Sequence, residues 1–261
     1  MNQAARLLCS LALAACAMGG LTVTASAQHP AEHAAEHAAQ YAAQAVRPDD
    51  HVTGSVQAPL VIVEYASFSC PHCAHFQIDA WPTIREEFID TGRVRYVFRP
   101  MLTSPAQIAG IGIILAECAA DDRYFDAVDL LFNEQSAIYE AAQAHQPVGA
   151  VYGRIAGALG VAEMEFDACL RDPAMTAIVN SVGHQAEIDG IHGTPSFIIA
   201  GKVMTVANLP DGNFFTWGDA PLLINGDRVP GQLDGDSFRR IILHFLDDNA
   251  RGLDHGSESA H

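Results

Sequence analysis

Two kinds of hydrophobic pattern divide the chain. The apolar run 59–66 and the period-two alternation at 93–99 predict β-strands, and strand signals return at 196–200 and 222–224. The stretch 104–190 has apolar residues at helical spacing and no convincing strand. Its predicted helices cover residues 105–119, 124–134, 149–159, 163–170 and 173–189.

The order of these elements predicts an α/β protein with a helical insertion. A helix follows the first strand, is interrupted at Pro82 and ends before Gly92. The C-terminal stretch 237–248 predicts an amphipathic helix with one apolar face, formed by Phe238, Ile241, Ile242 and Phe245. A strand–helix–strand unit and a strand–strand–helix unit are therefore separated by helices alone.

The candidate chemistry lies where the first strand meets the first helix, at Cys70-Pro71-His72-Cys73. A Cys-x-x-Cys pair in this position is typical of a redox site, because the first sulfur lies at the helix N-terminus, where unpaired N–H groups favour an anion. Pro71 falls in the first turn, where its missing N–H costs nothing. The alternative, half of a zinc site, needs a second pair of ligands, and Cys118 and Cys169 stand alone. We therefore predict a redox pair and no metal.

Composition and charge narrow the class of protein. The 261 residues are 49% hydrophobic and 17% charged, which is typical of a globular chain. The formal net charge of −17 argues against nucleic acid and against anionic membrane surfaces as partners.

The N-terminus has the pattern of an export signal. Arg6 precedes the mostly apolar stretch 7–21, and Ala25-Ser26-Ala27 forms a small-x-small cleavage site, so residues 1–27 are predicted to be a signal peptide. The alternative is a lipoprotein anchored through Cys16. In either case the protein is expected to be exported to the periplasm, and an even number of cysteines beyond residue 27 suits an oxidising compartment.

Low-complexity segments flank the predicted domain. Residues 28–49 are rich in alanine and histidine and are predicted to be a linker, and residues 251–261 a flexible tail. His29, His33 and His37 would align on a helix and hold a metal, but a solvated spacer is the preferred interpretation, since no oxygen or sulfur ligand joins them.

Several motifs together resemble the DsbA family of exported thiol oxidases. They are Phe68-Ser69-Cys70-Pro71-His72-Cys73, Glu64 six residues earlier, the segment 91–100, and Gly193-Thr194-Pro195-Ser196-Phe197. The resemblance covers residues 50 to 246. It implies an α/β, thioredoxin-like fold made of residues 50–102 and 191–250, with an all-helical domain, 103–190, inserted in its middle.

The resemblance also implies a function. A member of this family is a dithiol oxidase that passes its disulfide to newly exported polypeptides, needs no cofactor, and is re-oxidised by a quinone-linked membrane thiol oxidase of the DsbB type. We expect a monomer. Two other hypotheses stay open: a disulfide isomerase or reductase of the same fold, and a non-enzymatic module that binds metal or polypeptides.

Roles follow for the individual site residues. Cys70 is expected to be the exposed, attacked sulfur, with its thiolate stabilised by the helix N-terminus, His72 and backbone N–H groups. Cys73 is then the buried resolving sulfur. In the family's pattern Glu64 lies beneath Cys73 and helps to move its proton; the alternative is a salt bridge at the rim. Thr194-Pro195 resembles the cis-proline loop that pairs with an extended substrate; the alternative is an ordinary trans turn.

Two features depart from the family's pattern. Thr194 is more typical of isomerase and reductase relatives, which have threonine before that proline. Residues 201–221 look like an insertion between the last two strands, and its aromatic residues, Phe214, Phe215 and Trp217, either line a groove or pack on the domain.

Cys118 and Cys169 lie on separate predicted helices. Some relatives have a second disulfide, so we predict a structural one here; two buried free thiols are the alternative.

Overall fold

A computed structural model of the chain describes residues 45–251. The predicted signal peptide 1–27, the lipidation alternative at Cys16, most of the linker 28–49 with its three histidines, and the tail beyond Arg251 lie outside the described residues. No helix within the described range is long and apolar enough to cross a membrane.

Strands and helices alternate at both ends of the described range, with helices alone between them. The strands are β1 (His51–Thr53), β2 (Leu60–Ala66), β3 (Val94–Pro100), β4 (Ser196–Ile199), β5 (Lys202–Leu209), β6 (Gly212–Trp217), β7 (Ala220–Pro221), β8 (Leu223–Ile224) and β9 (Asp227–Arg228). The helices are α1 (Pro71–Asp79), α2 (Trp81–Ile84), α3 (Ala106–Cys118), α4 (Tyr124–Asn133), α5 (Gln135–Gln143), α6 (Gly149–Ala158), α7 (Glu163–Cys169), α8 (Pro173–Ile188) and α9 (Gly235–Arg251). A π-helical turn, Arg85–Ile89, follows α2.

Strand β2 is central in the main sheet, whose order is β1-β3-β2-β4-β5-β6-β7. All seven residues of β2 are buried, which explains why it is an unbroken apolar run with one exception, Glu64. β2 pairs with β3 in parallel and with β4 antiparallel, so that Glu64 lies opposite Phe98 on one side and Phe197 on the other. The sheet therefore supports the redox loop that follows β2 from both sides.

Helices α3 to α8 all lie between β3 and β4 in the chain, as the helical periodicity of 104–190 predicted. The helix α5 was not predicted. Its buried residues are only Gln135 and Ile138, and one of the two is polar, so its apolar pattern is too sparse to distinguish it from a loop. The predicted break near Pro82 occurs two residues earlier, at Ala80, between α1 and α2.

The sequence prediction for the C-terminal strands was wrong. The segment 201–221 is not an insertion beside the sheet, because β5 pairs with β4 and β6 with β5, which extends the main sheet. The predicted strand at 222–224 belongs instead to a small separate sheet of β8 and β9. β5 is half-buried on both faces, so it lacks the strong alternation that marks a strand.

The aromatic residues of that segment lie against the protein core. Phe215 is fully buried and meets Phe238 of α9, and Trp217 packs on Phe245 and donates its indole N–H to the Ile199 carbonyl at 2.9 Å. Phe214 is half-buried, with the Arg228 guanidinium over its ring. Packing on the domain therefore accounts for these aromatics. The predicted apolar face of α9 is confirmed, since its four named residues are all fully buried.

Phe68 connects the redox loop to the inserted helices. Its ring lies 5.1 Å from that of Phe132 on α4 and 5.7 Å from that of Phe98 on β3. On α3, a Cβ added at Gly112 would lie 2.8 Å from the Phe68 ring. Only glycine allows this close approach, so α3 and the redox loop are in direct contact.

An ion cluster on the other face of the sheet joins the N-terminal segment to the end of the inserted helices. Arg99 pairs with Asp50 at 2.7 Å and with Asp189 at 2.9 Å, and Asp189 also pairs with Arg47 at 2.7 Å. The Ala45 carbonyl accepts a further bond from Arg99 at 2.7 Å. Residues 45–49, which the sequence analysis assigned to the linker, are therefore bound to the domain.

A disulfide joins Cys118, at the end of α3, to Cys169, at the end of α7, across a sequence separation of 51 residues. We expect the double variant Cys118→Ala/Cys169→Ala to lose about 2–4 kcal/mol of unfolding free energy, because the bond restricts the unfolded chain. Urea denaturation with the Cys70–Cys73 pair in one fixed redox state measures the difference. Equal midpoints for variant and parent, or alkylation of both cysteines in the native protein without reductant, would contradict this expectation.

Candidate active site

The redox loop, residues 67–70, connects β2 to α1. The Cys70 N–H donates to the Ser67 carbonyl at 2.9 Å, which closes a turn directly after the strand. Cys70 is the N-cap residue of α1, with extended backbone angles, and Pro71 occupies the first helical position. The N–H groups of Cys73 and Ala74 donate to the Cys70 carbonyl at 3.1 and 3.2 Å. Cys70 therefore lies at the helix N-terminus, where the sequence predicted it.

Both cysteines of the pair are free thiols, and they differ in access. Cys73 is 0% exposed and Cys70 is 9% exposed. The expectation of an exposed Cys70 was therefore wrong in degree, because Ala66, Phe68 and the inserted helices cover most of it. Pro71 and His72 are the exposed members of the motif. Of the two sulfurs, that of Cys70 is the one that another molecule can reach.

The surroundings of Cys70 favour its thiolate. Its pKa falls from 9.0 to about 5, chiefly because the Cys73 thiol donates a hydrogen bond to it, and then because of the Thr194 side chain and the N–H groups of Cys73 and His72; burial opposes the shift. A change of this size corresponds to about 5 kcal/mol in favour of the anion. A helix terminus supplies at most ~2 kcal/mol. The hydrogen bonds therefore supply the larger part, and His72 takes part through its backbone N–H.

Cys73 has the opposite preference. Burial raises its pKa well above the usual value, and the hydrogen bond to Cys70 and the charges of Cys70 and Glu64 raise it further. The two thiols of the pair are thus held apart in acidity, with Cys70 as the anion and Cys73 as the proton donor between them.

Glu64 is a fully buried carboxyl group below this pair. The Tyr96 hydroxyl donates to its Oε2 at 2.8 Å, and its Oε1 has no hydrogen-bond partner among the described residues. Burial raises the pKa of Glu64 to about 8, and the charge of Cys70 adds to the effect. Glu64 is therefore protonated at neutral pH. In the described residues it takes part in no salt bridge, so the rim alternative does not describe its surroundings.

The segment before β4 approaches the redox pair from the other side. The Thr194–Pro195 peptide bond is cis, and the trans alternative is not what the structure contains. The Thr194 carbonyl accepts the Cys70 thiol at 3.4 Å, and its side chain helps to lower the pKa of Cys70. Because β4 pairs with β2, this loop is held beside the end of β2.

The sequence analysis missed residues of α5 that contact the redox loop. The Gln135 side-chain amide donates to the carbonyls of Phe68 at 2.8 Å and Cys70 at 3.2 Å, and the Tyr139 hydroxyl donates to that of Ser69 at 2.6 Å. The i, i+4 spacing of a glutamine and a tyrosine was the available signal, and it is common on helix surfaces.

A cluster of hydroxyl groups holds the loop from a third direction. Thr103, just before α3, donates to the Ser67 hydroxyl at 2.9 Å, and the Ser69 hydroxyl donates to the Thr103 carbonyl at 3.1 Å. Ser67 and Ser69 are buried. Within residues 45–251 no group of three or more histidine, cysteine or acidic side chains is arranged to hold a metal ion.

Comparison with known proteins identifies the family. The family model described as thioredoxin matches residues 46–212, well over half of the chain. The chain belongs to the thioredoxin family. The predicted class, an α/β thioredoxin-like fold with an inserted helical domain, is thereby confirmed.

Solved structures place this thioredoxin-family chain with DsbA-type folds. Wolbachia pipientis alpha-DsbA1 superposes with a TM-score of 0.58 at 24% identity, covering 78% of this chain and 94% of that one. BdbD from Bacillus subtilis superposes with a TM-score of 0.54 at 18% identity, covering 76% and 93%. The resemblance to the DsbA family stated from the motifs is confirmed at the level of the fold.

Among sequence relatives, a Rickettsia conorii protein named as a protein-disulfide oxidoreductase is 27% identical over 154 residues. The match covers 59% of this thioredoxin-family chain and 54% of that relative. The chain therefore spans a little over half the length of that relative.

Proposed function

We propose that this protein is a thiol–disulfide oxidoreductase that acts as a dithiol oxidase on newly exported polypeptides, as a monomer and without a cofactor. The observation that carries the proposal is the opposed acidity of the pair, with the pKa of Cys70 lowered to about 5 and that of Cys73 raised. Stabilising the Cys70 thiolate stabilises the reduced protein, so the Cys70–Cys73 disulfide is a strong oxidant.

The exchange proceeds in two steps. A substrate thiolate attacks Cys70 Sγ, a substrate–Cys70 bond forms, and the Cys70–Cys73 bond breaks with its electron pair on Cys73. A second substrate thiolate then attacks the substrate sulfur of this mixed disulfide, and Cys70 leaves as a thiolate. The substrate gains one disulfide, and the two electrons reside on the reduced Cys70–Cys73 pair.

Glu64 and Thr194 serve these steps. Glu64, protonated at neutral pH and charge-coupled to Cys73, supplies the proton that Cys73 takes up when it leaves the disulfide. Thr194, beside Cys70 in the loop before Pro195, offers backbone groups for pairing with an extended substrate chain.

The cellular setting follows from the same proposal. The signal-peptide pattern of residues 1–27 supports export to the periplasm. The reduced pair must then pass its two electrons on, and a quinone-linked membrane thiol oxidase of the DsbB type is the partner that fits. The Rickettsia relative's name, protein-disulfide oxidoreductase, supports the reaction class.

A disulfide isomerase or reductase is the second candidate, and Thr194 is the observation that favours it. Its direction of electron flow is the opposite, because an isomerase or reductase works from the reduced pair. The reduction potential separates the two candidates.

The decisive measurement is a redox titration of the pair against glutathione, combined with a pH titration of the thiolate ultraviolet absorbance. We expect the Cys70 thiolate to appear near pH 5 and the potential to lie near about −120 mV, the value of a strong oxidase. A potential near about −270 mV would favour the reductase. A thiolate that appears only above pH 8 would contradict the proposed mechanism as a whole.

A further inference from the structure

Helix α5 of the inserted domain donates hydrogen bonds to three consecutive carbonyls of the redox loop. Gln135, only 5% exposed, binds the carbonyls of Phe68 and Cys70, and Tyr139, one turn later on the same face, binds that of Ser69. Neither side chain touches a thiol directly. The contact is with the backbone that carries Cys70 into α1.

The Cys70 carbonyl is the point where this contact meets the first turn of α1. It already accepts the N–H groups of Cys73 and Ala74, and the Gln135 amide adds a third donor. The orientation of this peptide group fixes where the N–H groups of His72 and Cys73 point, and these two groups help to stabilise the Cys70 thiolate. A shift of the carbonyl therefore weakens bonds to the sulfur.

The α5 side chains also lie within electrostatic range of Cys70. The pKa of Tyr139 is raised by burial and by the negative charge of Cys70. The other titratable groups that interact with Cys70 are Cys73 below it and Glu64 on β2. The N–H of Gln135 and the O–H of Tyr139 both direct their positive ends at the loop, which favours an anion there.

We propose that Gln135 and Tyr139 are positioning residues that hold the redox loop in the conformation favouring the Cys70 thiolate, so that the inserted domain sets the oxidising strength of the pair. This inference rests on the proposed function, because oxidising strength matters only if the pair exchanges disulfides. It gives helix α5 a role beyond covering the site.

The test uses Gln135→Met, which keeps length and volume but removes the donor, and Tyr139→Phe, which removes one hydroxyl. The matched control is Tyr152→Phe, because Tyr152 is a buried tyrosine of α6 whose hydroxyl donates to the Ile108 carbonyl at 2.9 Å, away from the redox loop. Each variant is measured as the full reduced chain by thiolate absorbance against pH, by redox titration and by urea denaturation.

We expect Gln135→Met to shift the protonation equilibrium of Cys70 about fivefold toward the thiol, the size of one ordinary hydrogen bond. For a two-electron couple this converts to a potential about 20 mV lower. Tyr139→Phe should shift it in the same direction by a smaller factor. Tyr152→Phe should lower the urea midpoint and leave both the titration and the potential unchanged.

The outcomes separate the inference from the proposed function. If Gln135→Met and Tyr139→Phe lower only the urea midpoint, as Tyr152→Phe does, the residues are merely structural and the inference is wrong. If Gln135→Met fails to fold, Tyr139→Phe, which removes a single oxygen from a half-buried residue, decides alone. If the parent protein shows no acidic thiolate, the proposed function fails, whatever the variants do.

Discussion

Cys70→Ser should abolish thiol–disulfide exchange, with a loss of at least ~10³-fold in the rate at which a reduced two-thiol peptide is oxidised. A serine hydroxyl forms no disulfide, so the substrate sulfur has no bond to attack and no mixed disulfide can form. The substitution is nearly isosteric at a site that is 9% exposed, and the thermal unfolding midpoint checks that the fold is retained.

Two companion variants make this result specific. Cys73→Ser keeps the reachable sulfur and removes the resolving one, so it should accumulate a stable mixed disulfide that mass spectrometry detects. The double variant Cys118→Ala/Cys169→Ala should keep exchange activity, because that disulfide lies away from the redox pair. Full activity in Cys70→Ser would remove the basis of the proposed function, and polypeptide binding that persists without exchange would favour the non-enzymatic hypothesis.

Glu64→Gln should stabilise the protein at neutral and alkaline pH. The folded-state pKa of Glu64 is raised from 4.5 to about 8, so the carboxyl group favours the folded state fully only below pH 4.5, and its contribution is lost as the pH rises through 8. Each unit above 4.5 costs about 1.4 kcal/mol, which gives about 3 kcal/mol at pH 7. Glutamine keeps an oxygen for the Tyr96 hydroxyl and carries no charge, so it avoids this cost.

The measurement is the unfolding free energy in urea between pH 4 and pH 9, with the redox pair held in the oxidised state. Holding the disulfide removes the opposite pH dependence that the Cys70 thiolate gives to the reduced protein. Variant and parent should agree near pH 4 and diverge as the pH rises. Glu140→Gln, at an exposed position of α5, serves as the control and should follow the parent throughout. A Glu64→Gln protein less stable than the parent at pH 7 would show that the carboxylate is paired after all.

The sequence predicted the parts of the fold and site that depend on strong local signals. The unbroken apolar run of β2 and the spacing of Cys70 and Cys73 follow directly from burial and from helix geometry, and both predictions matched the structure. The face of α9 did so as well, because its apolar residues recur at helical spacing. The buried position of Glu64 was inferred from its apolar neighbours alone.

The remaining parts depend on contacts between segments distant in sequence. β5 and β6 are recognised as strands by their pairing with each other and with β4, since their own alternation is weak. The burial of Cys70 depends on Phe68 and on helices more than thirty residues later in the chain. Gln135 and Tyr139 look like surface residues until the fold brings α5 to the redox loop.

The position of β4 determines when during synthesis the redox site is complete. β2 ends at the redox loop and has β4 as one of its two neighbours, and β4 begins at Ser196, after all the inserted helices. A nascent chain that has emerged only as far as α8 contains both cysteines but lacks the flanking strand and Thr194. Such long-range pairing forms late in folding. Reactivity toward foreign thiols therefore arises only near the end of translation, which protects unfinished chains from cross-linking to one another.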